Sequence, residues 1–314
     1  MRTLVASTAF AALALAACPS LADDTIARSA GGDMWLTGSV GLMNIKAREY
    51  VYAPNNQGSE LDWDSKGVVV FSLGGGAEIT NDWKIRGNVN IGTGGNGYMA
   101  DYDWIDPNYT DKSKDGWSDR SLHPDTRLDH YVSASVEITR DLITADTGRL
   151  GMLGGFKYTD VQWSSFGGSY IYSVGGPRDT VGNFASGDKV ISYRQKIPTA
   201  YLGLDGSTTF DRLTISGGVN GGISFGINDI DDHWLGPEHF EDAMKTAPLL
   251  MLSAAVDYKI TPGASIYLAG DFEKIFRAKG DMTKTAGGVT ERFNEAAGAS
   301  FQTMSVKFGL RGTF

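Results

Sequence analysis

Two short acidic segments have the residue types and spacing to do chemistry. Asp101-Tyr102-Asp103 sets two carboxylates two residues apart. In an extended chain residues i and i+2 share a face, so both carboxylates would point the same way. Carboxylates this close cannot both ionise cheaply, and they titrate as a coupled pair. Asp229-Ile230-Asp231-Asp232-His233 repeats the spacing with an imidazole at its end. A carboxylate beside a histidine stabilises the imidazolium and fixes which ring nitrogen is free to act as base. Blander readings stand beside both. The first segment could be two solvated rim acids, and the second an acidic loop with a chance histidine. A metal site of Asp and His ligands is a further alternative for the second, although no second His stands at ligand spacing. Gly92-Thr93-Gly94-Gly95-Asn96-Gly97 matches a dinucleotide fingerprint, but a strand continues after it where that motif needs a helix.

The elements that must position these residues read as strands. Toward the C-terminus Met304, Val306, Phe308, Leu310 and Phe314 fall on one face, and Thr303, Ser305, Lys307, Arg311 and Thr313 on the other. Similar alternation marks Trp83, Ile85, Val89 and Ile91 against Lys84, Arg86, Asn88 and Asn90. Ten strands are expected, at roughly 34–48, 63–79, 83–101, 125–140, 149–166, 189–210, 212–227, 248–260, 264–278 and 300–314. Short turns fall at Thr80-Asn81-Asp82, Arg140 to Gly148, Phe210-Asp211-Arg212 and Thr261-Pro262-Gly263. Long polar connectors follow the odd-numbered strands, and Lys279 to Ala299 reads as a mobile loop. An even strand count with short turns at one rim and long loops at the other is the pattern of an all-β, ten-stranded antiparallel transmembrane barrel. Both acidic segments then fall on the outer rim. Inward charges such as Lys84, Arg86, Asp257, Asp271, Glu273 and Lys307 should fill the interior with ion pairs rather than leave a pore.

Composition agrees. The chain has 314 residues, with 41 glycines and 11% aromatic residues. No apolar run is long enough for a membrane helix, and a barrel needs none, since half of each spanning strand is polar. Residues 1–22 read as a signal peptide: Arg2, an apolar run from Leu4 to Ala17, then Ser20-Leu21-Ala22 before the cut. A rival is Leu15-Ala16-Ala17-Cys18, which resembles a lipoprotein box and would acylate Cys18. Residues 23–314 form one barrel domain on this reading. A net charge of −9 argues against nucleic acid as partner and favours cationic substrates.

Several stretches resemble the omptins. Met99-Ala100-Asp101-Tyr102-Asp103-Trp104-Ile105-Asp106, Trp117-Ser118-Asp119 and His123-Pro124-Asp125-Thr126 are similar to an outer loop of that family. Arg48-Glu49-Tyr50-Val51-Tyr52, Leu61-Asp62-Trp63, Gly167-Gly168-Ser169-Tyr170-Ile171-Tyr172 and Asp229-Ile230-Asp231-Asp232-His233 resemble further omptin stretches, and the matches run in order along the chain. The resemblance implies a ten-stranded outer-membrane endopeptidase with its site facing the cell exterior. It implies Asp101 and Asp103 as a catalytic pair, and Asp231 and His233 as a dyad that activates water. It also implies cleavage next to basic residues, with Glu49 and Asp229 lining the pocket before the scissile bond and Asp119 a further acid near the cleft. Neither metal nor organic cofactor is expected, and lipopolysaccharide is the activator the resemblance suggests. One departure concerns that lipid. Phe156, Tyr158 and Asp160 stand where the family carries Tyr, Glu and Arg, which leaves Lys196 and Lys245 as basic contributors. The expected partners are cationic peptides and outer-membrane lipid, and the expected state is a monomer. A non-catalytic barrel acting as adhesin or binding protein is the alternative, and the intact pairs at 101/103 and 231/233 favour the enzyme.

Overall fold

A computed structural model describes residues 34–53, 56–80, 82–106 and 114–314. The expected signal segment, Cys18 and Asn81 lie outside the described residues. The chain is nearly all strand: β1 (Met34–Ala53), β2 (Asn56–Thr80), β3 (Trp83–Thr93), β4 (Asn96–Asp103), β5 (Asp119–Ala145), β6 (Gly148–Tyr172), β7 (Thr180–Phe210), β8 (Leu213–Ser224), β9 (Asn228–His233), β10 (Glu238–Met244), β11 (Ala247–Thr261), β12 (Ala264–Ala286) and β13 (Val289–Thr313). All pairings are antiparallel. β1 pairs β13 from Trp35↔Thr313 to Val51↔Ala297, which closes the sheet into a ring and removes its edges.

The wall divides into thirteen segments rather than the ten strands expected, because staves are interrupted. β3 and β4 share the neighbours β2 and β5; β8 and β9 share β7; β10 and β11 share β12. The first interruption holds Gly94 and Gly95 at positive φ, and the second holds Gly226. Below the interruptions the wall alternates as a lipid-facing sheet should. Leu36, Val40 and Leu42 on β1, Val132, Val136 and Ile138 on β5, and Val306, Phe308 and Leu310 on β13 all point outward and are exposed.

Inside this belt the charges are paired. Lys84 meets Asp141 at 2.8 Å, Arg149 meets Asp205 at 2.8 Å, Lys307 meets Asp271 at 2.8 Å and Arg311 meets Asp257 at 2.7 Å. Arg86 bonds Glu137, and Lys157 bonds Glu273. All of these groups except Asp141 line a cavity of about 620 Å³, and neither acidic segment reaches it.

Above the belt the strands run farther than expected. At the opposite end β5 and β6 pair down to Ala145↔Gly148, so the short turn there is two residues long. Lys279 to Ala299 is a correction: it is a paired extension of β12 and β13, from Lys279↔Gly298 up to Ala286↔Val289. Its tip is Gly287-Gly288, both at positive φ as a tight hairpin turn needs. Its Thr- and Ala-rich composition reads as loop, but the ladder pairs it. The outer barrel is also packed with aromatic side chains where the lower lumen holds a polar cavity. Trp63 on β2, Trp163 on β6 and Tyr193 on β7 are fully buried, with ring centroids 5.4–6.4 Å apart. β2 and β6 are not neighbours in the wall. Their rings therefore meet across the lumen.

Candidate active site

The two acidic segments sit on facing walls. Asp101 and Asp103 lie on β4, between β2 and β5. Asp231 and His233 lie on β9, between β7 and β10. Going round the ring from β4 to β9 crosses β5, β6 and β7 one way and β2, β1, β13, β12 and β10 the other. Both segments stay in strands, so the i, i+2 rule holds and each pair shares the inner face.

Asp231 Oδ2 lies 2.9 Å from His233 Nε2. The carboxylate holds that nitrogen and leaves Nδ1 free to take a proton. Asp231 is buried, and the imidazole is half-buried with its ring against Phe240. Burial pushes the imidazole down, but Asp231, with Asp101 and Glu238 beyond it, outweighs that and raises His233 to about 9. On the other wall, burial and then Asp103 hold Asp101 well above the usual carboxylate range, and His233 counters the rise. Asp101 Oδ1 is buried without a partner. Asp103 accepts a 2.5 Å hydrogen bond from Ser59 Oγ. Burial still lifts it to about 6, with Asp119 adding to the rise and Ser59 and His233 opposing it. The walls thus feel each other's charge across the gap.

Asp119 lies directly opposite Asp103 in the β4–β5 ladder. Its oxygens are taken by loop groups: Ser118 Oγ donates at 2.7 Å and the Ser173 N–H at 2.9 Å. It stands at the site but holds the rim together. Arg178 clamps the same rim, donating from Nε to the Trp117 carbonyl at 3.0 Å while its guanidinium lies 3.7 Å from the Trp117 ring. His123 is structural. It is fully buried, Nδ1 lies 2.6 Å from the Gly167 carbonyl, and Nε2 lies 2.8 Å from Ser121 Oγ.

Beside the dyad is a buried acidic pocket. Glu49 is 2% exposed and Asp229 1%. Tyr193 donates its hydroxyl to Asp229 at 2.7 Å, and Gln195 donates to Tyr193 at 2.8 Å. Burial, then Asp231, Asp242, Asp229 and Asp101, push Glu49 well up. Burial lifts Asp229 to about 7 against the bonds from Tyr193 and Gln195. Asp242, Tyr193 and Gln195 are pocket residues that sequence reasoning missed. They converge from β7 and β10, and no spacing along the chain announces them.

Gly222-Ile223-Ser224-Phe225-Gly226 matches a nucleophile-elbow pattern, but the structure removes it from consideration. Ser224 is fully buried at the end of β8, and its hydroxyl donates to the Pro198 carbonyl at 2.9 Å. Among the described residues no group of three or more His, Cys, Asp or Glu side chains is placed to hold a metal.

The model of the omptin family matches residues 32–314. The chain belongs to the omptin family. It is 29% identical over 259 residues to Protease 7 of Escherichia coli strain K12, covering 78% of each chain. It is 27% identical over 289 residues to the outer membrane protease OmpP of the same strain, covering 88% of this chain and 89% of the relative. The plasminogen activator of Yersinia pestis is 26% identical over 287 residues, with 88% of each covered. The crystal structure of the outer membrane protease OmpT from Escherichia coli superposes with a TM-score of 0.85 at 24% identity, over 91% of this chain and 99% of that one, and shows the shared fold. This omptin is an endopeptidase of the bacterial outer membrane, built as an antiparallel β-barrel.

The face expected to meet lipid has its own chemistry. Phe156 and Tyr158 point outward and are exposed. Asp160 on the same face accepts from Arg194 Nε at 2.9 Å and lies 2.9 Å from His130 Nε2. Lys196 is half-buried beside this group, directly opposite Asp160 in the β6–β7 ladder. Lys245, the other expected basic residue, is exposed and bonds Glu295.

Proposed function

We propose that this omptin hydrolyses peptide bonds through a water held between its two walls, and that it cuts after basic residues. His233, kept in place by Asp231, takes the proton from water. Asp101 and Asp103 hold that water and the developing intermediate from the far side. The observation that carries this reading is the Asp231–His233 pair at 2.9 Å, set across from an Asp101 oxygen that is buried with nothing bonded to it. A buried acceptor without a donor costs about 1–3 kcal/mol, and a bound water or a protonated intermediate relieves that cost. General-base action of this kind is worth roughly 10²–10⁴ in rate.

The pocket of Glu49 and Asp229 supports the specificity. Glu49 Oε2 and Asp229 Oδ1 are also buried and unpartnered. A cationic side chain supplies the donors they lack and offsets their mutual repulsion. Acidic peptides meet unpaired charge there and are rejected. Asp119 contributes from the rim.

Lipopolysaccharide is a weak activator on this reading. Asp160 already takes up the Arg194 guanidinium, and Lys245 is paired with Glu295, so little free positive charge faces a lipid phosphate. Lys196 remains as the basic contact.

The test is cleavage of two peptides that differ only at the residue before the scissile bond, Arg in one and its neutral isostere citrulline in the other. Wild type is expected to favour Arg strongly. Glu49→Gln should lower kcat/KM for Arg by roughly ten- to a hundredfold and barely change citrulline. Equal losses on both peptides would show that Glu49 shapes the fold and not the pocket.

A further inference from the structure

We infer that Asp242 is a third acidic wall of the specificity pocket, and that it makes the pocket select a guanidinium over an ammonium. The inference rests on the reading of Glu49 and Asp229 as a cation pocket and names what that pocket takes. Asp242 lies directly opposite Asp229 in the β9–β10 ladder. Opposite residues of an antiparallel pair point to the same face, so the two carboxylates stand side by side. Asp242 is 2% exposed, and its Oδ1 has no partner.

The surrounding groups show what is missing. Glu49 Oε2 on β1, Asp229 Oδ1 on β9 and Gln195 Oε1 on β7 are likewise buried and unpartnered. Gln195 is opposite Asp229 in the β7–β9 ladder. Buried acceptors therefore wait on β1, β7, β9 and β10. An ammonium offers three N–H donors from one point, and a guanidinium offers five in a planar fork. Only the fork has enough donors for acceptors spread over these strands. An ammonium would leave at least one of them unmade.

The same crowding couples binding to protons. Burial first, then Asp229 and Asp231, lift Asp242 to about 8. Beyond these, Glu49 on β1 is itself pushed up by Asp242, while on β7 Tyr193 donates to Asp229 and Gln195 donates to Tyr193. On β12 the residue opposite Asp242 is the uncharged Met282, and Lys284 is taken up by Glu238. The empty pocket near neutral pH thus keeps a proton on Asp242 much of the time. A guanidinium beside it favours the carboxylate, and the proton leaves to solvent.

The test uses the refolded full barrel with matched peptides carrying Arg, Lys or citrulline before the scissile bond. Asp242→Asn is expected to lower kcat/KM for Arg about tenfold or more and for Lys less, so the Arg/Lys ratio falls. Its Tm near neutral pH should rise, because a buried carboxyl that must take up a proton on folding is gone. Asp242→Ser should give the same ratio change, which guards against a packing fault of one variant. Calorimetry near pH 7.5, in two buffers of different ionisation enthalpy, reads the proton. With a peptide whose bond after arginine is reduced and uncleavable, wild type should release on the order of one proton, and Asp242→Asn fewer. An unchanged Arg/Lys ratio in both Asp242 variants, with Glu49→Gln still losing Arg, would remove Asp242 from the pocket and leave the pocket standing. No proton release in wild type would also overturn the role of Asp242. If Glu49→Gln too kept the full preference for Arg over citrulline, the pocket reading itself would fall.

Discussion

At the residue scale, the proposed mechanism makes the dyad and the acids around it set the pH at which the enzyme works. A general base must be neutral, and His233 in the empty site is raised to about 9. A cationic substrate side chain in the pocket disfavours the imidazolium, so its binding moves His233 down. The profile of kcat/KM reports the free enzyme, and that of kcat the complex. We expect kcat/KM for an Arg peptide to rise with pH to about 9 and kcat to level off at lower pH. Measuring both profiles on one peptide checks this, and a kcat limb lying at higher pH than the kcat/KM limb would contradict it. Asp101, Asp103, Asp231 and His233 were legible in the sequence because each pair lies within three consecutive residues of one strand. Asp242, Tyr193 and Gln195 were not, because they meet only when β7, β9 and β10 are side by side.

At the scale of elements, the alternation of Ile85, Val89 and Ile91 against Lys84, Arg86 and Asn88 announced the lipid-facing wall. It also placed the inward charges that the structure pairs. The extent of the strands above the belt was hidden. There both faces are packed or polar, so period-two contrast fades, and Lys279 to Ala299 passes for a loop. The backbone specials carry more information in this region. Gly168 has φ 110, and a Cβ added there would lie 2.3 Å from the Leu122 carbonyl oxygen and 2.9 Å from His123 Nδ1. Gly168→Ala should therefore lower stability by about 1–3 kcal/mol and disturb the rim that carries Asp119. The expected result is a lower Tm and lower activity, with membrane insertion retained; unchanged Tm and activity would show that this rim tolerates strain.

At the scale of the whole molecule, the barrel is a closed ring that holds the two acidic segments on facing walls. Its lower lumen is lined by ion pairs and its outer lumen is packed by the Trp63–Trp163–Tyr193 cluster. Because Asp160 already holds Arg194, activity in phospholipid should change little as lipopolysaccharide is titrated in. A preparation that is dead without it and restored by stoichiometric amounts would contradict that expectation. The central claim is that the two walls act as one unit on one water, and a double-mutant comparison tests it most directly. The kcat for an Arg-Arg peptide would be measured for wild type, His233→Ala, Asp101→Asn and the double variant, each verified as folded barrel. Each single change is expected to cost roughly 10²–10⁴, and the double variant should be little worse than the worse single one. Full activity in His233→Ala, or losses that simply multiply in the double variant, would contradict the account.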